Sequence, residues 1–341
     1  MERSDIRLAL PSKGRLYDDS LEFLARCGLE VYRPNPRQYV ATIPSLPGLT
    51  VILQRPGDIV TSVRQGSADF GITGLDVLGE KNGAADGPVL TLHDELGIAK
   101  CRLMLAVPNE WDSVRSLSDL VRWAATQPEP LRVATKFPYL TGRFLTQNNI
   151  PHELITVEGT LEIAPNIGYA DLISDLVSSG TTLRDNQLHP LEDSIILDSQ
   201  GCLIGNQETL QQRPEVLQVS RLLLEYIEAH LRAKRAQLVF ANIRGESPEA
   251  IVALMRTQPH LGGLQGPTIS PVYPPAGPDP NTNWFAINIV TQNEMLTQTI
   301  AELRAIGGSG VIVAPVTYIF EEEPVRYKQM LAALNMEAQH A

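Results

Sequence analysis

Residues 169–188, YADLISDLVSSGTTLRDNQL, indicate the fold class more clearly than other stretches of the chain. The apolar run Leu172–Val177 predicts a buried strand, and a helix is expected to begin shortly after it. Between the two lies a loop with one glycine, Gly180, and four hydroxyl side chains, those of Ser178, Ser179, Thr181 and Thr182. A strand that leads through a short loop into a helix is the repeating unit of α/β folds.

This loop has the composition of an anion-binding site. Successive backbone N–H groups can point at one spot, a glycine allows close approach, and hydroxyl groups donate further hydrogen bonds. Asp175, near the end of the strand, would lie close to sugar hydroxyl groups or to a magnesium ion. The GxxxxGK[ST] phosphate-binding pattern is absent. From the local pattern alone, a helix N-cap rich in Ser and Thr is an equally good interpretation.

The same alternation of strands and helices extends through the first two thirds of the chain. Short apolar runs predict strands at Ile6–Leu10, Leu49–Leu53, Phe70–Thr73, Leu103–Val107, Leu131–Thr135 and Leu154–Val157. Apolar residues at helical spacing predict helices between them, for example over Leu16–Ala25 and Tyr139–Gln147. Alternation with short connections predicts an α/β fold with parallel strand pairing.

The last third of the chain follows a different pattern. A helix with apolar residues at successive turns, from Val219 to Leu231, is expected to link it to the rest. The order strand, helix, strand, strand, helix, strand then predicts a ferredoxin-like βαββαβ domain. Its elements are expected at Leu238–Ile243, Pro248–Thr257, Thr268–Val272, Phe285–Val290, Glu294–Ala305 and Val311–Val313. A Pro/Gly/Asn loop from Tyr273 to Asn283 is interpreted as a long hairpin connection, and a short tail helix is expected at Val325–Leu334.

Composition narrows the class of protein. The 341 residues are enough for two or three domains, and 43% hydrophobic against 20% charged residues is ordinary globular composition. No apolar stretch approaches the ~18 residues of a membrane helix, and the first residues show no secretory signal. The net charge of −11 argues against a nucleic-acid partner but not against a small anionic ligand. Three widely separated cysteines favour a reducing, cytoplasmic location.

A second candidate site follows the first predicted strand. In open α/β sheets ligands bind at the carboxyl ends of strands, and Lys13 and Arg15 flank Gly14 at such a position. Both cations are therefore placed where they can meet phosphates. A solvated turn is the alternative interpretation.

Two further groups follow the next predicted strands and could line the same crevice. They are Arg55 with Asp58, and Gly74 with Asp76. The glycine spacing around Gly74 does not match the dinucleotide-binding GxGxxG pattern. Helix capping explains both acids equally well.

Eight segments, taken in chain order, carry a resemblance to a known family. They are LPSKGRL (10–16), RPGDI (55–59), GSADFGITGLDVLGE (66–80), RVATKFP (132–138), EGTLEIAP (158–165), YADLISDLVSSGTTLRDNQL (169–188), GPTISPV (266–272) and GGSGVIVAP (307–315). As an ordered set that ends in a βαββαβ domain, they resemble the ATP phosphoribosyltransferases in their long form, the first enzymes of histidine biosynthesis. The resemblance extends over most of the chain.

The resemblance implies a two-lobed catalytic half similar to the type II periplasmic-binding-protein fold, followed by an ACT-like regulatory domain. It implies transfer of the phosphoribosyl group of 5-phosphoribosyl diphosphate to N1 of ATP, with release of diphosphate and with Mg²⁺ bound through the substrate phosphates. Histidine is the expected feedback inhibitor, and a homo-oligomer, from dimer to hexamer, is the expected assembly. No nucleic-acid or membrane partner is expected.

The resemblance also implies domain boundaries. The first lobe is expected to comprise residues 1–107 and 190–225, and the second lobe, with the phosphate loop, residues 108–189. Residues 226–323 are expected to form the ACT-like domain. Residues 324–341 form a tail to which the resemblance gives no role.

Each candidate residue receives a role from the resemblance. Ser178–Thr182 are expected to hold the 5-phosphate, and Asp175 and Asp171 to contact the ribose hydroxyl groups. Lys13 and Arg15, with magnesium, would take up the diphosphate or the ATP phosphates, which makes Lys13, Arg15 and Asp175 the expected catalytic residues. The expected ATP site comprises Lys13, Gly14, Arg15, Arg55, Asp58, Gly74 and Asp76. The expected histidine site comprises Leu264, Thr268, Val290 and Gly310, although ordinary core and turn roles explain these four equally well.

One position departs from the wider group of phosphoribosyltransferases. They carry two adjacent acids before the loop, whereas this chain has Ser174 before Asp175. Two other functions stay open at this point. A cytoplasmic solute-binding or sensor protein would share the two lobes but needs no phosphate loop. A salvage phosphoribosyltransferase would share the loop but use a free base and lack the βαββαβ domain.

Overall fold

A computed structural model describes residues 4–83, 87–157, 159–273 and 283–336. The chain divides into two compact units. The first comprises Met1–Leu224 and Val325–Ala341, and the second comprises Glu225–Pro324. Within the described ranges no helix is long and apolar enough to cross a membrane.

The first unit begins with a lobe built on a six-stranded sheet. Its strands are β1 (Ile6–Pro11), β2 (Val40–Thr42), β3 (Leu49–Gln54), β4 (Phe70–Gly74), β5 (Val89–His93) and β11 (Gly201–Asn206), in the order β2-β3-β1-β4-β11-β5. Helices α1 (Arg15–Arg26), α2 (Pro56–Arg64) and α3 (Leu75–Asn82) follow β1, β3 and β4. Because β1 is parallel to both β3 and β4, the carboxyl ends of these three strands share one edge of the sheet.

The second lobe contains a five-stranded sheet. Its strands are β6 (Cys101–Pro108), β7 (Leu131–Thr135), β8 (His152–Thr156), β9 (Leu172–Val177) and β10 (Leu188–Ser199), in the order β10-β6-β9-β7-β8. Its helices are α4 (Leu117–Ala124), α5 (Pro138–Gln147) and α6 (Thr181–Asp185). β7, β8 and β9 are parallel. The two sheets confirm the predicted α/β, two-lobed catalytic half of the type II periplasmic-binding-protein class.

The boundaries of the second lobe differ from the expected ones, which follow residue 107 and precede residue 190. β6 and β10 are antiparallel neighbours in the second sheet, so the second lobe extends from Cys101 to Ser199. The sequence does not predict β10, because the polar run from Glu192 to Ser194 interrupts its apolar pattern. The pairing of β10 with β6 shifts register at the same place, between Pro190 and Ile195.

The second unit has the predicted ferredoxin-like βαββαβ order. Its elements are β12 (Ala236–Arg244), α9 (Pro248–Met255), β13 (Thr268–Val272), β14 (Trp284–Gln292), a 3-10 turn (Asn293–Met295), α10 (Leu296–Ala305) and β15 (Ser309–Pro315). The antiparallel sheet has the order β13-β14-β12-β15. Its core joins Val239 and Ile287 from the central strands to Ile251 of α9 and Leu303 of α10. Most of the predicted Pro/Gly/Asn loop lies outside the described residues.

Three helices complete the first unit and its link to the second. α7 (Gln207–Gln212) is followed by the long helix α8 (Pro214–Ala233), which the sequence predicts as a linker. The tail helix α11 (Val325–Ala333) belongs to the first unit, where it packs against β5. It buries Tyr327, Met330 and Leu331, and Arg326 forms an ion pair with Asp94 at 2.6 Å. The tail therefore has a structural role that the sequence does not reveal.

Candidate active site

The predicted phosphate loop follows β9 and lines a cavity of about 590 Å³. Gly180 adopts φ 69° and ψ 8°, a left-handed conformation that glycine tolerates far better than other residues. The hydroxyl oxygens of Ser179 and Thr181 lie 3.1 Å apart on this turn. Ser178, Ser179, Thr181 and Thr182 are all exposed, so their hydroxyl groups are available to a ligand.

Arg184 supports this loop from the last turn of α6. Its Nη1 donates to the carbonyl oxygen of Ser179 at 3.2 Å, and its Nη2 donates to the Thr181 hydroxyl at 3.1 Å. Lys100 and Arg102 line the same cavity, and Arg102 pairs with Val177 across the β6–β9 ladder. None of these three cations is predicted from the sequence. The i, i+3 spacing from Thr181 to Arg184 is the one local signal that could reveal any of them.

Asp175 lies on β9, two residues before the strand ends, and is largely buried. Burial raises the pKa of its carboxyl group above the ordinary value of 3.8. The hydrogen bond from the Leu176 N–H, at 2.8 Å, and the charge of Lys136 lower this pKa, while the charge of Glu162 raises it. A carboxylate with one backbone donor keeps lone pairs free to accept hydrogen bonds from hydroxyl groups of a ligand.

Ser174 faces the interior of the second lobe and is fully buried. Its Oγ lies 2.8 Å from Oγ1 of Thr141, which in turn lies 3.3 Å from Oγ1 of Thr135. An ionised side chain here would have no compensating cation, because these partners are neutral hydroxyl groups. An acid at position 174 would therefore be buried among neutral hydroxyl groups.

The structure does not bring Asp171 to the loop. Asp171 precedes β9, at the opposite end of the strand from Val177, and its carboxylate is occupied by Arg132. Oδ2 accepts the Arg132 backbone N–H at 2.8 Å, and Oδ1 accepts Nη2 at 2.7 Å. The ion pair instead joins the starts of β7 and β9. Because β9 extends from Leu172 to Val177, Asp171 lies at its amino end and Asp175 near its carboxyl end.

The candidate residues of the first lobe lie at the shared edge of β1, β3 and β4. Lys13 and Gly14 are exposed in the turn between β1 and α1, and Arg15, which begins α1, is exposed as well. Arg15 lines a second cavity of about 370 Å³ together with Gly74 and Asp76, and with Phe137 and Ser178 from the other lobe. Both cavities share Cys101, Ser178 and Gln200. The two lobes therefore face one another across a continuous cleft.

The other two candidate groups differ in how they reach this cleft. Arg55 precedes α2 and Asp58 lies in its first turn, and both are exposed without lining either cavity in the described part of the chain. Asp76 is buried, and its Oδ1 accepts the hydroxyl proton of Ser199 at 2.6 Å. Asp76 thereby ties α3 to the end of β10.

The four candidate effector residues occupy two edges of the second unit's sheet. Thr268 is on the edge strand β13, with Val290 on the neighbouring β14, whereas Gly310 is on the opposite edge strand β15. Leu264 is 55% exposed in the segment before β13. Strand spacing places β13 and β15 about 14 Å apart, farther than one amino-acid ligand spans. A single chain does not bring all four together.

The cleft offers few side chains that could bind a metal ion. Among the described residues no three or more His, Cys, Asp or Glu side chains form a group that could hold a metal ion. Asp175 and the cavity-lining Glu192 and Asp198 offer separate carboxylates. A divalent ion in the cleft would therefore need ligand oxygens from a bound phosphate or diphosphate.

Two family models match the chain. The model described as HisG, ATP phosphoribosyltransferase, matches residues 55–228, and the model described as HisG, C-terminal domain, matches residues 233–318. The first spans the cleft residues from Arg55 to the phosphate loop, and the second spans the βαββαβ unit. α11 lies outside both matches.

Named relatives cover nearly the whole chain. ATP phosphoribosyltransferase 2, chloroplastic, of Arabidopsis thaliana is 45% identical over 338 residues, covering 98% of this chain and 82% of the relative. ATP phosphoribosyltransferase of Gemmatimonas aurantiaca is 36% identical over 317 residues, covering 91% and 98%. A solved ATP phosphoribosyl transferase (HisG:HisZ) complex from Thermotoga maritima matches at 27% identity with a TM-score of 0.51, covering 65% of this chain and 98% of that one.

Proposed function

Since this chain belongs to the ATP phosphoribosyltransferase family, in the long form with a C-terminal domain, we propose a role for each part of its cleft in the reaction of that family. The enzyme transfers the phosphoribosyl group of 5-phosphoribosyl diphosphate to N1 of ATP and releases diphosphate, the first step of histidine biosynthesis. The solute-binding and salvage interpretations are not favoured, because the relatives carry this enzyme's name over most of the chain.

The phosphate loop holds the 5-phosphate of the sugar diphosphate. The observation that carries this assignment is the left-handed turn at Gly180, which opens into the larger cavity with exposed hydroxyl groups on both sides. Ser178, Ser179, Thr181 and Thr182 donate through hydroxyl and backbone groups. Arg184 orders the loop and adds positive charge beside it. Such preformed donors bind a phosphate without reorganisation of the protein.

Asp175 accepts hydrogen bonds from the ribose hydroxyl groups. It stands on the same strand that leads into the loop, so a sugar whose 5-phosphate is in the loop places its ring close to this carboxylate. Asp171 has no part in this proposal, because it lies at the other end of β9 and is paired with Arg132.

ATP binds on the first lobe, opposite the sugar. Arg15, Gly74 and Asp76 line the smaller cavity, and Lys13 and Gly14 adjoin Arg15 at the same edge. Arg55 and Asp58 stand at the start of α2 on the next strand end, where they can contact the outer part of the nucleotide. The cations Lys13, Arg15 and Arg55 supply the charge that a triphosphate requires.

The chemistry needs positioning and neutralisation of charge more than a covalent nucleophile. Adenine N1 is a weak nucleophile, and C1 of the ribose gains positive character as diphosphate leaves. Cys101 stands in the cleft, but burial raises the pKa of its thiol to about 11, so it stays protonated. Lys13 and Arg15 stabilise the departing diphosphate. Magnesium, bound through the substrate phosphates, would neutralise part of its charge.

Histidine acts as feedback inhibitor at the second unit. Leu264, Thr268, Val290 and Gly310 lie on two edges of its sheet, so a site that uses all four must join edges of two chains. This placement supports a homo-oligomer, from dimer to hexamer, as the regulated form. A reducing compartment such as the cytoplasm suits the three cysteines, all of which are free thiols.

Incubation with ATP, 5-phosphoribosyl diphosphate and Mg²⁺ tests the proposed function. Ultraviolet absorbance of the N1-alkylated adenine should rise in step with release of diphosphate. Free adenine in place of ATP should give no product, which separates this activity from a salvage enzyme. An enzyme preparation that is folded but forms no adduct under these conditions would refute the assignment.

A further inference from the structure

Glu80, Tyr139 and Leu140 form a contact between the two lobes, and none of the three lines either of the two cavities described above. Glu80, in α3 of the first lobe, accepts two backbone hydrogen bonds from the start of α5 in the second lobe. Oε1 accepts the N–H of Tyr139 at 2.8 Å, and Oε2 accepts the N–H of Leu140 at 3.0 Å. We call this contact the Glu80 bridge.

The Glu80 bridge provides hydrogen-bond acceptors for the first N–H groups of α5, which the residues next to the helix do not provide. The residue before the helix, Phe137, offers no side-chain cap, and the first turn of α5 contains no acid. The first N–H groups of a helix have no partner within the helix, and they carry the positive end of its dipole. A carboxylate that accepts two of them forms charge-assisted hydrogen bonds, which are the stronger kind.

Apolar packing surrounds the bridge. Leu140, which is buried, lies so close to Gly79 that a Cβ at that glycine would come within 3.4 Å of its side chain. Val77 of α3 and Phe137, just ahead of α5, both line the smaller cavity. The bridge thus joins the lobes at the wall of the cleft itself.

We propose that the Glu80 bridge is a latch that holds the two lobes in the arrangement in which the proposed ATP and sugar sites face each other. Glu80 is then a positioning residue, which acts through α5 and touches neither substrate. The inference rests on the proposed function, because the reaction needs groups from both lobes around one pair of substrates. A protein whose competent arrangement is less populated binds its ligands with an apparent affinity reduced by that population.

The test compares Glu80→Ala and Glu80→Gln with the wild-type enzyme. Alanine removes both acceptors, whereas glutamine keeps one acceptor oxygen and loses the charge. Glu22→Ala is the matched control, since Glu22 is an exposed acid in another helix of the first lobe, paired with Arg26. Steady-state kinetics give KM for each substrate and kcat separately. Small-angle X-ray scattering of the substrate-free and substrate-bound enzyme reports lobe opening without reference to activity.

For Glu80→Ala we expect KM to rise about 10-fold for both substrates, with kcat within about twofold, because saturating substrates themselves hold the lobes together. Glu80→Gln should show a smaller rise, and Glu22→Ala none. Substrate-free Glu80→Ala should scatter as a more open particle and contract when both substrates are added.

Unchanged KM values together with unchanged scattering in a folded Glu80→Ala enzyme would overturn the latch. A loss of kcat with constant KM would do the same, because a less populated competent arrangement must raise KM. If Glu80→Ala does not fold, Glu80→Gln decides between the same outcomes. If wild type shows no transferase activity, the proposed function fails, while scattering still supports or refutes the latch.

Discussion

Asp175 is the proposed contact for the ribose hydroxyl groups, and its environment disfavours the ionised form of its carboxyl group. Burial raises its pKa, so the folded state favours the protonated form more than the unfolded chain does. The stability that this carboxyl group contributes is therefore present in acid and is lost as pH rises from its ordinary range through the raised pKa. Asp175→Asn should raise Tm at neutral pH and flatten this part of the pH dependence of stability.

The same substitution should reduce activity. Without the carboxylate acceptor, kcat/KM for the sugar diphosphate should fall about 10- to 100-fold, the usual effect of losing hydrogen bonds to a charged group. Thermal unfolding across pH and steady-state kinetics measure the two effects, with the exposed Asp18→Asn as control. Reduced stability together with normal kinetics would show that Asp175 has a purely structural function.

Gly180 tests the geometry of the phosphate loop. At φ 69° a Cβ costs about 1–2 kcal/mol, and it would meet Arg184 Nη1 at 3.4 Å. Gly180→Ala should therefore raise KM for the sugar diphosphate about 5- to 30-fold and leave KM for ATP nearly unchanged. Gly180→Asn should be milder, because Asn tolerates this conformation better. Equal effects on both substrates would contradict the placement of the two sites on different lobes.

The direction of the Ser174 side chain could not be predicted from the residue types around it. The sequence places Ser174 beside Asp175, yet alternation along the strand turns its hydroxyl group to the interior, onto Thr141. Ser174→Asp should destabilise the protein by about 3–5 kcal/mol through an unpaired buried charge. Ser174→Ala should cost about 1–3 kcal/mol. Chemical denaturation measures both, and a stable Ser174→Asp enzyme with improved affinity for the sugar would contradict this environment.

Among the helices and strands, the packing of α11 on the first unit is the feature to test. It buries Leu331 to 3% exposure and lies outside both family matches. Leu331→Ala should destabilise the first unit by about 2–5 kcal/mol. Gln329→Ala, on the exposed side of the same helix, should change stability by less than about 0.5 kcal/mol. Equal stability of the two variants in denaturant titrations would show that α11 does not pack as described.

The longer apolar runs, such as those of β3 and β9, could be predicted from the sequence, whereas β2, β5, β10 and β11 are not predicted. β9 lies where the sequence places it, at Leu172–Val177, and β3 (Leu49–Gln54) extends the predicted run Leu49–Leu53 by one residue. β10 could not be predicted because it contains a polar stretch where its pairing with β6 is irregular. Asp171 is a misassignment that the sequence itself argues against, because it precedes the predicted strand Leu172–Val177 and ligands bind at the carboxyl ends of such strands.

For the whole molecule, the positions of the proposed histidine-binding residues predict that two chains assemble. Thr268 and Gly310 lie on opposite edges of the sheet, so a histidine site that needs both requires two chains. Thr268→Ala and Gly310→Asn should each weaken histidine inhibition about 10-fold or more while kcat without histidine stays unchanged. Inhibition titrations and sedimentation, read against the 37.4 kDa of one chain, measure both properties. Full inhibition of a monomer would contradict the shared site.

Every substrate role proposed for the cleft depends on the loop after β9 holding the terminal phosphate of an activated pentose. A crystal structure of the enzyme with 5-phosphoribosyl diphosphate and Mg²⁺ tests it most directly. We expect the 5-phosphate within hydrogen-bond distance of the loop from Ser178 to Thr182, with the ribose hydroxyl groups on Asp175. A 5-phosphate bound elsewhere in the cleft, with the loop unoccupied, would contradict it.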